Sequence, residues 1–199
     1  MNIRNEKNIE LELKLLTKIN ESENVSQRSI SKDLDVALGL ANALIKKFVK
    51  KGFLKLKEAP MQRYLYYLTP EGMLEKTKLT KQFLESSLLF YKKAKEEYEK
   101  EFLNLKRKKD SLIVLVGVSD LTDIAFLAAK IHNVKISYIF DKNNNKKEHC
   151  GIKIISNFNS IKSDSKLYFL QTSSVNSKKV YDEIKGKYKI FKPKFLMIG

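Results

Sequence analysis

Residues 26–52, SQRSISKDLDVALGLANALIKKFVKKG, decide how the rest of the chain is read. Ser26 suits an N-cap, because its hydroxyl can accept from an otherwise orphaned backbone N–H. Ile30 and Leu34 follow on one face of a helix over Gln27–Leu34. A second pattern, Ala37–Lys51, places Ala41, Leu44, Ile45, Phe48 and Val49 at helical spacing and stops at Gly52, a glycine of the kind that ends helices. Two helices joined by a tight turn can lay the second in a DNA major groove.

The flanks extend this unit. Asn8–Asn20 reads as an amphipathic helix with Ile9, Leu13, Leu16 and Ile19 inward, and Val25 can staple the next helix start. Beyond Gly52, FLKLK at Phe53–Lys57 alternates like a strand, Glu58–Arg63 turns around Pro60, and YLYYL at Tyr64–Leu68 is a second strand. Thr69-Pro70-Glu71-Gly72 then starts another helix, with Thr as cap, Pro in the first turn and Glu complementing the dipole.

These residues, VSQRSISKDLDVALGLANALIKKFVKKGFLKLKE and YLYYLTPEG, resemble MarR-like winged-helix regulators, in particular those associated with exopolysaccharide gene clusters. The resemblance covers about the first half of the chain, and LTPEG is its most specific piece. It implies a transcriptional regulator that binds duplex DNA, linked to surface polysaccharide genes. One departure concerns the start of the second helix, where the family carries a polar cap and a basic residue and this chain has Ala37 and Leu40. With Leu38, the latter makes the reading face apolar.

The expected DNA contacts follow. Asn42 is the base reader, since an amide can pair bidentately with adenine for roughly 1–3 kcal/mol of discrimination. Leu38, Gly39 and Ala43 lie beside it on the outer face. Ser26, Gln27, Arg28, Lys46 and Lys47 are placed for phosphates, which set register without reading sequence. Arg63 in the wing is placed for the minor groove. Each lysine taken singly also reads as a solvated surface charge.

The net charge of +16 is a weaker guide, because lysine far outnumbers arginine, as an AT-rich coding bias would produce. Residues 1–110 carry 24 basic and 16 acidic side chains, residues 111–199 carry 15 and 7, so each part has the same surplus. Local density says more: Arg28, Lys32, Lys46, Lys47, Lys50, Lys51, Lys55, Lys57 and Arg63 face only Asp33, Asp35 and Glu58 between Ser26 and Arg63. A hydrophobic content of 43% is enough for packed cores. No apolar run approaches the ~18–20 residues of a membrane span, and the start is too charged for a signal peptide. The single cysteine excludes an internal disulfide framework. A cytoplasmic, nucleoid-associated protein is expected.

Pro70–Lys109 reads as one long helix or a helix with one break. Leu84, Leu88, Tyr91, Lys95, Tyr98, Phe102 and Leu105 recur alternately four and three apart, the rhythm of a coiled-coil seam. That stripe either pairs two subunits, with Leu84, Leu88, Tyr91, Tyr98, Phe102 and Leu105 as the dimer contacts, or packs on its own chain. A symmetric pair would let two winged domains read a palindrome.

After LKRKKD at 105–110 the pattern changes. LIVLV at Leu112–Val116 suits a parallel strand buried on both faces. A helix over Asp123–His132, a strand over Val134–Phe140, short strands at Ile152–Ile155 and Leu167–Leu170, a helix over Val175–Gly186 and a last strand in Lys189–Ile198 complete an α/β alternation. The expected organisation is therefore a winged helix (1–72), a connecting and dimerisation helix (73–110) and a Rossmann-like α/β domain with a mostly parallel sheet (111–199).

VLVGVSDLTDIA, Asp141 at the end of the second strand and the later GIKI resemble the small Rossmann-like domains at the front of sugar acyltransferases and nucleotide-sugar dehydratases. That resemblance implies a ligand such as a nucleotide or nucleotide sugar, held at Gly117 and Asp141; Ser119 and Thr122 can hydrogen-bond an anion at the helix N-terminus, and Thr172, after a strand and before a helix, reads as ligand-loop material or equally as a cap. Of the family's glycines only Gly117 is present, and Asp120 and Asp123 would repel an anion. No required cofactor is indicated. His132 reads as a surface or capping side chain, and His149-Cys150 have no companions at metal-ligand spacing. No nucleophile–base or paired-carboxylate arrangement is legible, so an enzyme is not expected. The chain reads as a dimeric DNA-binding regulator with a small-molecule effector or assembly role for its second half. A nucleotide-sugar enzyme with an accessory winged helix and a protein-interaction module are the alternatives.

Overall fold

The computed structural model describes residues 3–22, 25–59, 63–108, 111–157, 161, 166–173 and 188–196. Its contacts divide the chain into two compact units, Met1–Leu88 and Leu89–Gly199.

In the first unit, α1 (Ile3–Glu21), α2 (Gln27–Asp33) and α3 (Leu38–Lys50) precede a hairpin of β1 (Leu54–Ala59) and β2 (Arg63–Leu68) and the start of α4 (Pro70–Lys106). Leu15, Leu16, Ile30, Ala41, Phe48 and Tyr66 are buried together, so the helical stripes and one hairpin face share a core. The turn between α2 and α3 puts Asp35 at φ 52°, a conformation short polar residues tolerate. Ser31 Oγ donates to the Val36 carbonyl across it.

The end of α3 shows why Gly52 is needed. Its φ is 76°, its N–H donates to the Val49 carbonyl, and the Phe53 N–H reaches back to Phe48. The Phe48 and Phe53 rings pack edge-on at 5.8 Å, completing a Schellman-type cap with its apolar contact. LTPEG acts at the same place. Thr69 Oγ1 donates to the Gly52 carbonyl at 2.6 Å and accepts from the Gly72 N–H at 3.0 Å, while the Thr69 N–H donates to the Phe53 carbonyl. A Cβ on Gly72 would stand 2.1 Å from that Phe53 carbonyl oxygen. The motif thus ties the end of α3 to the start of α4.

The hairpin is longer than the sequence suggested: Glu58, Ala59 and Arg63 belong to its strands, and 60–62 lie outside the described residues. α4 is a single unbroken helix.

In the second unit, β3 (Ser111–Val116), α5 (Asp120–Ile131), β4 (Tyr138–Phe140), β5 (Glu148–His149), β6 (Ile152–Ile155), β7 (Lys166–Gln171) and β8 (Lys189–Phe191) form a six-stranded sheet with a helix. The sheet order is β5-β6-β4-β3-β7-β8, parallel throughout except for the β5–β6 hairpin. Counted alone, the parallel strands run third, second, first, fourth, fifth, the order of a doubly wound sheet with its switch point between β3 and β7. Ile113 and Leu115 of β3 enter one core, and Val114 and Val116 enter another on the opposite face. The continuous apolar run is the result of burying both faces.

Several boundaries differ from expectation. α5 begins at Asp120, because Ser119 and Thr122 form a reciprocal capping box. Val134–Ser137 are irregular, so the second parallel strand is only three residues long. The last strand ends at Phe191, and a 3-10 turn at Lys194–Leu196 follows Pro193, which has no N–H to continue a ladder. The expected helix over Val175–Gly186 lies outside the described residues.

The expected dimer stripe divides. Leu84 and Leu88 are exposed, whereas Tyr98, Phe102 and Leu105 are buried in the core of the second unit beside Ala94, Ile113 and Leu115. Tyr91 packs at the edge of that core. Tyr98 also donates its hydroxyl to the Gln171 carbonyl at 2.7 Å. Side chains so engaged are not available to a second chain, so the seam expected through Tyr98, Phe102 and Leu105 is corrected to an intrachain core.

Candidate nucleic-acid interface

α3 carries its buried side on Ala41, Ile45 and Phe48, which turns the opposite face outward. Leu38, Gly39, Leu40, Ala43, Lys46 and Lys50 are exposed there, and Lys55 and Lys57 are exposed on β1 of the wing. The pleat places Lys55 and Lys57 on one hairpin face, with Tyr67 opposite Lys55. These wing lysines were in the basic cluster of the sequence but were not singled out; alternation against the buried Leu54 was the available signal.

The N-terminus of α3 is open in two ways. Its N-cap, Ala37, makes no side-chain cap, and no acidic residue lies in the first turn. Gly39 has no internal reason to lack a side chain, since an added Cβ would meet nothing within 4 Å. A glycine in a helix costs about 1 kcal/mol relative to alanine. Uncapped N–H groups and a bare backbone suit close approach by an anion.

Three other expected contacts, Gln27, Lys47 and Ser26, are already engaged within the protein. Asn42 is only half-exposed, and its Oδ1 is buried without a hydrogen-bond partner. A bidentate fork to adenine needs both amide atoms outside, and in this conformation the Oδ1 of Asn42 is turned inward. Gln27 Nε2 donates to the Tyr66 hydroxyl at 2.8 Å, which ties α2 to the wing. Lys47 is held by Glu12 of α1 at 2.5 Å. Ser26 is spent on the N-cap of α2, in a capping box with Ser29. Arg28 and Lys46 are exposed. Arg63 opens β2 opposite Ala59, and its side chain lies outside the described residues.

In the second unit the five expected ligand residues lie at the carboxyl ends of β3, β4 and β7. Four of them are hydrogen-bonded to one another. Thr122 Oγ1 donates to the Gly117 carbonyl at 2.8 Å, Thr172 Oγ1 to the same carbonyl at 2.7 Å, and Ser119 Oγ to the Thr172 carbonyl. Asp141 accepts from the Val118 N–H at 2.9 Å and the Asn143 N–H at 3.0 Å. Gly117 has φ 90°, and a Cβ there would lie 2.4 Å from that of Ser173. The glycine therefore admits a neighbouring chain segment, not a phosphate, and the carboxylate occupies the N–H an anion would use. In this arrangement these residues are hydrogen-bonded to one another and to the neighbouring backbone.

His132 caps α5 and lies 3.8 Å from Glu99. His149 and Cys150 do have a companion: Asp123, in the first turn of α5, lies beside both. Burial, then the hydrogen bond and charge of Asp123, push the Cys150 thiol above its usual range.

No protein-family model and no curated protein matches this chain. Among solved structures, it is similar to MepR, a transcription regulator of the Staphylococcus aureus multidrug efflux pump MepA, at 19% identity over 49% of this chain and 74% of that one, with TM-score 0.37. It is similar to the Streptomyces coelicolor PcaV transcriptional regulator, solved with its natural ligand, at 14% identity over 61% and 72%, TM-score 0.39. Streptococcus pneumoniae FabT in complex with DNA matches at 18% identity over 61% and 69%, TM-score 0.34. The matched segments span 49% to 61% of this chain. Among the described residues, no helix is long and apolar enough to cross a membrane.

Proposed function

We propose that the chain is a DNA-binding transcription regulator that presents α3 to a duplex as a dimer. The observation that supports this most directly is the outer face of α3: an uncapped N-terminus, a glycine that nothing inside the protein requires, and exposed Lys46 and Lys50, with Lys55 and Lys57 on the wing. Lysines set on two separate elements suit a phosphate backbone that runs past both. With Asn42 turned partly inward, base discrimination rests on apolar contact of Leu38 and Ala43 with thymine methyls and on duplex shape. Dimerisation is proposed through exposed Leu84 and Leu88 of α4, giving two half-sites.

The second unit serves assembly or sensing, but not through a phosphate at the Gly117 turn, whose donors are engaged. The resemblance to exopolysaccharide-associated regulators makes surface-polysaccharide promoters the first to test, in a cytoplasmic setting. Selection of bound duplexes from a random pool is the decisive experiment. A recovered palindrome supports the proposal, and failure to enrich any duplex at low salt overturns it.

One observation favours a second reading. Leu38 and Leu40 are 44% and 46% exposed on the same helix, which suits a protein partner. A salt titration separates the two, since duplex affinity falls steeply with salt through counterion release and an apolar contact hardly responds.

A further inference from the structure

We propose that Asp123, His149 and Cys150 form a site for a thiophilic divalent cation, Zn²⁺ being the best match, with at least one coordination position left open. The three residues come from two elements. Asp123 stands in the first turn of α5, and His149 and Cys150 close the β5–β6 hairpin. One ligating atom from each lies within 4.8 Å of the other two. His149 Nε2 is 2.6 Å from Asp123 Oδ1, and Cys150 Sγ donates to the same oxygen at 3.3 Å.

Ordinary Zn–N, Zn–O and Zn–S lengths put the ligand atoms of a tetrahedral site roughly 3.3–3.7 Å apart. The Asp123–Cys150 separation of 3.3 Å already falls at the lower end of that range, and the 2.6 Å between His149 and Asp123 reaches it if the exposed Asp123 side chain opens by ~1 Å. The donor set selects the metal. Imidazole, thiolate and carboxylate together are borderline-soft, unlike the all-oxygen sets of Mg²⁺ and Ca²⁺.

The alternative is an ion pair with a thiol at its rim. It leaves the choice of Cys150 unexplained. His149 pairs with Ile152, so Cys150-Gly151 is a two-residue hairpin turn with φ 52° and 70°. Both signs suit a type I′ turn, which favours Asn or Asp before Gly. Cysteine adds nothing to that geometry, but its position brings the thiol to Asp123. Nor is the arrangement a catalytic triad: the carboxylate stands between thiol and imidazole, so the histidine does not receive the thiol proton. The pleat also puts Lys153 opposite Glu148, on the other face from His149. Binding replaces the thiol proton by the metal and releases it to solvent.

The chain has one cysteine and two histidines, which makes the test clean. The untagged chain is titrated with Co²⁺ alone and followed by absorption, then with Zn²⁺ against a chromophoric chelator. One equivalent should bind, with a thiolate-to-cobalt charge-transfer band and intense tetrahedral d–d bands. Cys150→Ser should abolish the charge-transfer band, and His149→Ala and Asp123→Asn should each weaken Zn²⁺ at least about tenfold. All three side chains are at the surface, and circular dichroism reports whether each variant keeps its fold. A Co²⁺ spectrum of the parent protein without a thiolate band overturns the proposal. So does Zn²⁺ binding that survives all three substitutions, or is lost only on His132→Ala.

Discussion

Asn42 holds a buried amide oxygen with no donor among the described residues. Leaving such a group unpaired costs about 1–3 kcal/mol, and alanine is also the better helix former. Asn42→Ala is therefore expected to leave stability unchanged or raise it by about 1 kcal/mol, with a higher urea midpoint at constant slope. Duplex affinity should hardly change. The exposed Lys46 behaves oppositely: Lys46→Ala should weaken binding to all duplexes alike and reduce the salt slope by about one. Lys47→Ala should do less, since Glu12 already competes for that ammonium. Fluorescence anisotropy across a salt series measures both. Gly72 is a matter of space. A methyl group 2.1 Å from a backbone oxygen forces the start of α4 away from Phe53. Gly72→Ala should cost about 1–3 kcal/mol or more, read as a lower urea midpoint of the winged unit.

At the scale of the element, α4 serves two cores, with Leu79 in the first and Ala94, Tyr98, Phe102 and Leu105 in the second. Phe102→Ala should cost about 3–5 kcal/mol. The loss should be the same at every protein concentration, because the contacts are within one chain; a seam residue would give a concentration-dependent midpoint. Tyr98 adds a pH effect. Burial, with the neighbouring charge of Glu97 behind it, pushes its phenol well above the usual tyrosine range. A raised folded value means that the stabilisation is complete below the unfolded value of about 10 and is lost as pH rises above it. Stability of the parent protein should therefore fall above about pH 10, and Tyr98→Phe should flatten that fall. The same substitution should lower stability at neutral pH by about 1–3 kcal/mol, through the unpaired Gln171 carbonyl. Denaturant titrations from neutral to alkaline pH test both signs.

At the scale of the molecule, the proposed function turns on whether two copies associate. Leu84 and Leu88 are more than half exposed on α4, which is where a second chain would dock. Leu84→Glu with Leu88→Glu should give a monomer by sedimentation and weaken binding to a palindrome far more than to a half-site. A duplex that binds the monomeric variant with undiminished affinity would argue against the paired arrangement.

Periodicity and capping chemistry made most of the first unit legible. Stripes at three and four, Gly52 and LTPEG are local signals, and each marks an element that local hydrogen bonding helps to form. The buried run at Leu112–Val116 announced a parallel strand in the same way. What no local pattern carries is which partner a stripe meets. Leu84 and Tyr98 share one seven-residue rhythm, yet only Tyr98 finds a core, because the sheet that covers it lies beyond the helix in sequence. Asn42 and Lys46 both read as outward-facing, and their different burial came from packing. The Gly117 turn was read through its glycine spacing, but Ser173 and Asp141, brought in by other strands, filled it. The apposition of Asp123 with His149 and Cys150 spans 26 and 27 residues. The chain's own sequence determined the elements and where they stop. Only tertiary structure decided which polar atoms remain unpartnered, because that depends on groups distant in sequence arriving within a few ångströms.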